Sequence, residues 1–141
     1  MPFVQIKSLD RFNWEQVLDL ELLPEQQAFL PSILYSLAQA KFENLHPFAI
    51  LNQDETVGFL MYGEFGGICW INRIMIDHRH QRQGLGSEAL RQLIQQLKRN
   101  IRCREIRTSY APDNYGAALF FDQHGFEPMS SLEDEVVVRL G

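Results

Sequence analysis

The stretch Trp70-Ile71-Asn72-Arg73-Ile74-Met75-Ile76-Asp77, a short polar turn, and Gln81-Arg82-Gln83-Gly84-Leu85-Gly86-Ser87 run directly into Ala89, Leu90, Leu93, Ile94 and Leu97 at helical spacing. The order is an apolar strand, a glycine-containing loop and an amphipathic helix whose Glu88, Arg91, Gln92 and Gln95 face outward. A helix that begins at the glycines offers amide N–H groups with no intrahelical partner, at the positive end of the macrodipole. Such a terminus suits a phosphate. Gly84 and Gly86 lack Cβ atoms, so the backbone can turn sharply there and a ligand can approach closely.

Outward from this unit the chain alternates strands and helices. Phe3 to Leu9 reads as a strand, and Asp10 or Asn13 as the cap of a helix reaching about Leu20. Pro24 suits the first position of a second helix, and the stripe Phe29, Ile33, Leu34, Leu37, Ala38, Phe42 continues it. Pro31 divides that stretch into two short helices joined near Leu30. Pro47–Leu51, the turn Asn52-Gln53-Asp54-Glu55, and Thr56–Glu64 read as a hairpin, and Gly66-Gly67 turns into the strand Ile68–Asp77. After the central helix come a strand at Cys103–Tyr110, a helix capped by Asp113 or Asn114 and ended by Gly125, and closing strands at Phe126 and Glu135–Leu140. The expected fold is α/β: a mostly antiparallel twisted sheet with a central parallel βαβ unit and flanking helices.

Its 141 residues suit one domain spanning 1–141 with its own core. A net charge of −5 argues against nucleic-acid binding and fits a cationic small substrate. No segment approaches the roughly 20 apolar residues of a membrane span, and Met1–Asp10 lacks a basic flank and an apolar core, so a cytoplasmic location is expected. Cys69 and Cys103 form no C-x-x-C pair and read as free buried thiols, with no metal site.

Known phosphate loops narrow the ligand. A Walker A loop is excluded because no Gly-Lys-Ser/Thr follows. Gly84-Leu85-Gly86-Ser87-Glu88-Ala89 fits a loosened dinucleotide fingerprint, but the polar segment His78–Gln83 is too long for that fold's first turn, and no acidic residue ends the next strand. Gln81-x-x-Gly84-x-Gly86 instead resembles the Gln/Arg-x-x-Gly-x-Gly/Ala signature of the GNAT superfamily of acyl-CoA-dependent N-acetyltransferases. Asn114, Ala117 and Phe121-x-x-x-Gly125-Phe126 resemble the family's later Asn…Ala…Tyr-x-x-x-Gly-Phe motif. Within the family, Pro24-Glu25-Gln26, Tyr35-Ser36-Leu37-Ala38, Val57-Gly58-Phe59, Arg73–Asp77 and Glu135-Val136 are similar to bacterial spermine/spermidine (diamine) N-acetyltransferases.

The resemblance implies acetyl-CoA as cosubstrate. Gln81, Arg82, Gln83, Gly84, Leu85, Gly86 and Ser87 would form the loop on its pyrophosphate, with the Arg82 side chain an extra cation. Ile74, Met75 and Ile76 would offer backbone groups to the acetyl carbonyl and pantetheine where two parallel strands splay, and Asn114 and Phe121 would line the pantetheine arm.

A lysine-like acceptor amine has a reference pKa of ~10.4 and must shed a proton before attack. Glu64 and Asp77, at strand ends, are the candidate bases, while His78 and His80 read as surface residues of the polar turn. Phe121 stands where the family commonly has a Tyr that protonates the leaving thiolate. Phenylalanine has no proton to give, which leaves transfer without an acid, substitution by Tyr110 or Tyr115, or a weakly active acyl-CoA-binding module. Among Glu25, Glu43, Glu64, Asp77 and Glu135, those that converge on one groove would attract a cationic amine, with Tyr35 and Trp70 as aromatic walls. The expected activity is direct transfer of acetyl to a polyamine or diamine. The alternatives are another amine, such as a protein N-terminus, an amino acid or a drug. Exposed C-terminal strands suggest a homodimer.

Overall fold

The computed structural model describes residues 3–131 and 134–140. In chain order the strands are β1 (Val4–Ser8), β2 (His46–Asn52), β3 (Glu55–Phe65), β4 (Ile68–Ile76), β5 (Glu105–Tyr110), β6 (Glu127–Ser131) and β7 (Val136–Leu140). The helices are α1 (Pro24–Gln27), α2 (Ile33–Glu43), α3 (Leu85–Lys98) and α4 (Tyr115–Gln123). One seven-stranded sheet runs β1-β2-β3-β4-β5-β7-β6. Every pairing is antiparallel except β4 with β5, which α3 joins as a parallel crossover. The mixed fold expected from the sequence is therefore present.

Local chemistry accounts for the connections. Gln53 and Asp54 take φ of 51° and 68°, the left-handed pair of a two-residue hairpin turn between β2 and β3. Ser32 caps α2 by accepting the Tyr35 N–H at 3.0 Å, and the helix ends on left-handed Asn44. The segment before α1 departs from expectation. Residues Trp14–Asp19 are a 3₁₀ helix, because Asp10 and Asn13 exchange backbone-to-side-chain bonds with each other and close a tight turn.

Two apolar cores flank the sheet. Leu85, Ala89, Leu90, Leu93 and Leu97 of α3 bury their stripe with Ile50, Leu60, Cys69, Ile71, Ile106 and Phe121 on one face. On the other, α2 and the 3₁₀ segment cover Ala49, Phe59, Met61 and Met75. Both cysteines are free, and burial, with the neighbouring Cys103 thiol, pushes the Cys69 thiol up to about 12. No helix among the described residues is long and apolar enough to cross a membrane.

The central strand is not regular. Tyr62 pairs with Ile71 but Met61 pairs with Arg73, so Asn72 is an extra residue in a bulge. The bulge shifts the side-chain alternation by one place. Cys69 and Ile71 precede it on the α3 face, and Ile74 and Ile76 follow it on that same face, while Met75 joins the α2 core. The parallel pairing of β4 and β5 begins at Ile68 with Glu105 and stops at Ile71 with Thr108. There the buried Thr108 hydroxyl donates to the Ile71 carbonyl at 2.9 Å.

Thr108→Val keeps the side-chain shape and deletes this donor. It is expected to cost about 1–2 kcal/mol in urea unfolding by leaving a buried carbonyl unpaired, with Thr108→Ser losing less.

Candidate active site

Beyond Ile71 the two central strands part, and the sequence places chemistry on the rim of that gap. The Asp77 N–H donates to Val57 on β3 at 2.8 Å. Backbone groups alternate sides along a strand, so those of Met75 and Arg73 also turn toward β3, and those of Ile74 and Ile76 turn toward the gap. The Ile76 carbonyl accepts from Gln81 Nε2 at 2.9 Å. The Ile74 N–H and carbonyl and the Ile76 N–H have no strand opposite them, since β5 has diverged. Polar backbone at a strand opening can bind an acyl carbonyl and an extended amide-bearing chain.

The glycine loop closes one end of the gap. Arg82 and Gly84 both lie in the left-handed region, at φ of 65° and 79°, on either side of Gln83. Such a conformation turns neighbouring N–H groups toward a shared concavity that favours anions. Gly84 is the N-cap of α3, and the Glu88 N–H makes the first helical bond back to it. The N–H groups of Leu85, Gly86 and Ser87 therefore lack intrahelical acceptors. A Cβ on Gly86 would touch Ile76 and Phe120 at ordinary distances of 3.5 and 3.8 Å, so packing does not force a glycine there. Gly84 needs its glycine for φ.

Three contacts hold the loop to Glu21 and to α1. Asp77, wholly buried, accepts the Glu21 N–H at 2.9 Å, and the His78 N–H donates to the Glu21 carbonyl at 2.8 Å. Gln81 pairs its amide with that of Gln26, at 3.0 and 3.2 Å. The side chain of Gln81 is thus a strut for the loop.

On the far side, Asn114 caps α4 by accepting the Ala117 N–H at 3.2 Å. Phe121 is buried in an aromatic cluster, parallel to Tyr110 at 6.2 Å and edge-on to Phe120 and Phe126. Tyr110 is half-buried at the end of β5, whereas Tyr115 is exposed. His124 reaches from the end of α4 to Ser87 Oγ at 3.1 Å, and burial lowers its proton affinity, favouring the neutral ring. No motif in the sequence links His124 to Ser87, 37 residues away.

The two expected bases, Asp77 and Glu64, stand in different surroundings. Asp77 Oδ1 accepts the Arg79 N–H and Nε at 2.9 and 2.8 Å, and Oδ2 accepts Arg79 Nη2 at 3.0 Å besides the Glu21 N–H. With both oxygens filled and a guanidinium alongside, its carboxyl is held far below the usual carboxylate range. Asp77 is a structural anion, correcting the base assignment. Glu64 pairs with Cys69 on the closed side of Ile71, and paired residues share a sheet face, so it points to the α3 side beside Tyr62 and Cys69. Its position is removed from the opening.

The expected amine-binding residues are spread out. Glu25 is exposed on α1 and Tyr35 on α2. Half-buried Trp70 is already covered by the Arg107 guanidinium, 5.7 Å from its ring, and Arg107 in turn pairs with Glu105. Glu135 is exposed and accepts from Ser109 Oγ at 3.3 Å. Arg73, to which the sequence reading gave no role of its own, is held between β4 and α2. From the α2 side of β4 its Nε donates to Ser36 Oγ at 3.2 Å, Nη2 to Gln39 Oε1 at 2.8 Å and Nη1 to the Asn72 carbonyl at 2.9 Å. The neighbouring Asn72 Oδ1 is buried and has no hydrogen-bond partner among the described residues.

Residues 13–126 match the model of the acetyltransferase (GNAT) family. A spermine/spermidine N(1)-acetyltransferase of Bacillus subtilis is 31% identical over 148 aligned positions, covering 96% of this chain and 97% of the relative. Among solved structures, the ribosomal-protein-S18-alanine N-acetyltransferase of Escherichia coli superposes with a TM-score of 0.77 at 21% identity, over 98% of this chain and 93% of the other. A PaiA N-acetyltransferase from Thermoplasma acidophilum, solved with coenzyme A, gives 0.75 at 13% identity, over 97% and 98%.

Two outcomes follow for the loop. Asp77→Asn is expected to lose about 2 kcal/mol at pH 7 in urea unfolding, from weakened charge-assisted bonds. Because the folded carboxyl titrates below its unfolded value of ~3.9, that stability is complete above this value and drains as pH falls below it. The difference between wild type and variant should therefore shrink in acid. Gly84→Glu, which strains a left-handed position and adds a negative charge, should weaken acetyl-CoA binding at least tenfold by calorimetry.

Proposed function

We propose, for a chain that belongs to the acetyltransferase (GNAT) family and uses acetyl-CoA to acetylate amines, that the acceptor is a polyamine or diamine. The observation carrying this reading is the 31% identity, over nearly the whole of both chains, to a spermine/spermidine N(1)-acetyltransferase. The net charge of −5 and the exposed carboxylates of Glu25 and Glu135 agree with a cationic substrate.

In this reading the whole chain works as one domain. The N–H groups from Arg82 to Ser87 bind the pyrophosphate, with the helix terminus supplying positive potential. Acetyl-CoA supplies the activated acetyl group. The gap-facing backbone of Ile74 and Ile76 orients its carbonyl and pantetheine arm, and donors aimed at the carbonyl oxygen favour the negative charge that develops there. With the phosphates on the α3 face, the amine approaches from the α2 face. Asn114 and the Phe121 cluster wall the thiol end.

Tyr110 is the better placed of the two tyrosines to give the departing sulfur a proton, being half-buried against Phe121 at the end of β5. A thiol near ~8.5 leaves readily enough that the assistance is modest. Tyr110→Phe is expected to lower kcat several-fold with acetyl-CoA affinity unchanged; unchanged kcat would return the reaction to unassisted departure.

The substrate is tested by CoA release across spermidine, spermine, putrescine, amino acids and an alanine-terminated peptide. Polyamines are expected to give kcat/KM at least tenfold above the rest. Preference for the peptide would move the acceptor to protein N-termini, and CoA binding with no turnover on any amine would overturn the reading.

A further inference from the structure

On the α2 face of β4, the face that the proposed function gives to the acceptor, the structure places a cation. Arg73 is half-buried on β4, adjoining Ile74, and its three hydrogen-bond acceptors, Ser36 Oγ, Gln39 Oε1 and the Asn72 carbonyl, are all neutral. Among the described residues it forms no ion pair, whereas Arg79, Arg91, Arg107 and Arg139 each meet a carboxylate. A guanidinium keeps its proton at any working pH, so this is a fixed positive charge held by a neutral cradle. The bulge at Asn72 is what turns the Arg73 side chain to the α2 face, the face from which the proposed function brings in the amine.

We infer that Arg73 is an electrostatic positioning residue for transfer: its charge, in direct contact with no carboxylate among the described residues, disfavours the ammonium form of the bound acceptor and so raises the fraction of neutral, attacking amine. A like charge nearby lowers an amine's pKa, the device by which lysines are activated next to another cation. The proton released from the ammonium goes to water. The nitrogen lone pair then forms the bond to the acetyl carbon, the carbon–sulfur bond breaks, and the sulfur leaves with the electrons of the broken bond and takes a proton from Tyr110, which solvent restores. The nitrogen's second surplus proton is shed to water, so one proton is released per turnover overall. The titratable groups whose charge acts on Arg73 are Tyr35 and Glu43, both from α2; its β3 partner Met61 is apolar. The inference rests on an amine acceptor entering on the α2 face, and holds for a polyamine or any other primary amine.

Gln39→Glu provides the sharpest test, because it sets a carboxylate against Arg73 Nη2 and neutralises the charge while keeping the side chain and its cradle. The rate kcat is measured from pH 6.5 to 10.5 with acetyl-CoA and spermidine both saturating, or with the best amine of the panel, since kcat reports groups in the bound complex. In wild type the profile should rise through an apparent pKa below the amine's solution value. Gln39→Glu and Arg73→Gln should move it up by about one unit, so that kcat falls about tenfold near pH 7 and recovers at the alkaline end. Both should also lower KM for the amine, because repulsion of the ammonium is relieved. Arg73→Lys, which keeps the charge, should retain the wild-type profile. Acetyl-CoA affinity, read separately by calorimetry, should be unchanged in all three. A loss of kcat equal at every pH would overturn the inference and leave Arg73 a clamp between α2 and β4. So would full activity of Gln39→Glu at pH 7. Failure of wild type to acetylate spermidine while it acetylates another amine would instead count against the polyamine reading alone.

Discussion

The hydrogen bond from the Thr108 hydroxyl to the Ile71 carbonyl marks the point on which the site depends. Up to that pair, β4 and β5 are an ordinary parallel ladder. Past it, a side chain has taken the carbonyl, Asn72 has been inserted opposite β3, and the strands go separate ways. An opening of this kind in mid-sheet exposes backbone donors and acceptors that would otherwise be consumed in pairing, and it does so without an unsatisfied carbonyl at the apex. The bulge has a second effect. By shifting the alternation one place, it keeps Ile74 and Ile76 on the α3 face and turns Arg73 and Met75 to the α2 face, so the proposed cofactor and acceptor sides fall on opposite faces of one strand.

The loop that follows illustrates how a polar segment is kept rigid. Buried Asp77 would be costly if isolated, but it meets two backbone N–H groups and a two-pronged guanidinium, and it ties the end of β4 to Glu21. Gln81 does the same for Gln26 one turn later. With the loop fixed from below, the left-handed residues Arg82 and Gly84 hold the start of α3 in one shape before any phosphate arrives, which is the condition for binding an anion without a further ordering cost. The carboxylate that looked chemically available in the sequence is spent on this architecture.

Legibility in the sequence followed the range of the interactions involved. The α3 stripe, the Gln53-Asp54 turn, the split of α1 from α2 at Pro31 and the cap at Asn114 all rest on neighbours within a few positions, and periodicity and turn chemistry expose such features. The 3₁₀ segment after Asp10 was less readable, because Asp10 and Asn13 are equally good helix caps and mutual turn partners. Asp77 and Glu64 misled for a different reason. A carboxylate at a strand end has the same sequence appearance whether it faces a cleft, a guanidinium or the opposite side of a sheet.

By itself the sequence determined the α/β order, the parallel crossover, the glycine-led start of α3 and the family, since each is written in local spacing or in a motif of fixed length. Only the tertiary structure decided which face each β4 side chain took, that Asp77 was already saturated, that Glu64 lay on the closed side, that His124 reached Ser87, and that Arg73 bonded only neutral acceptors among the described residues. Those outcomes depend on register and on partners tens of residues away. A single inserted residue in a strand reverses the sidedness of everything after it, and no one-dimensional pattern around Asn72 announces that reversal.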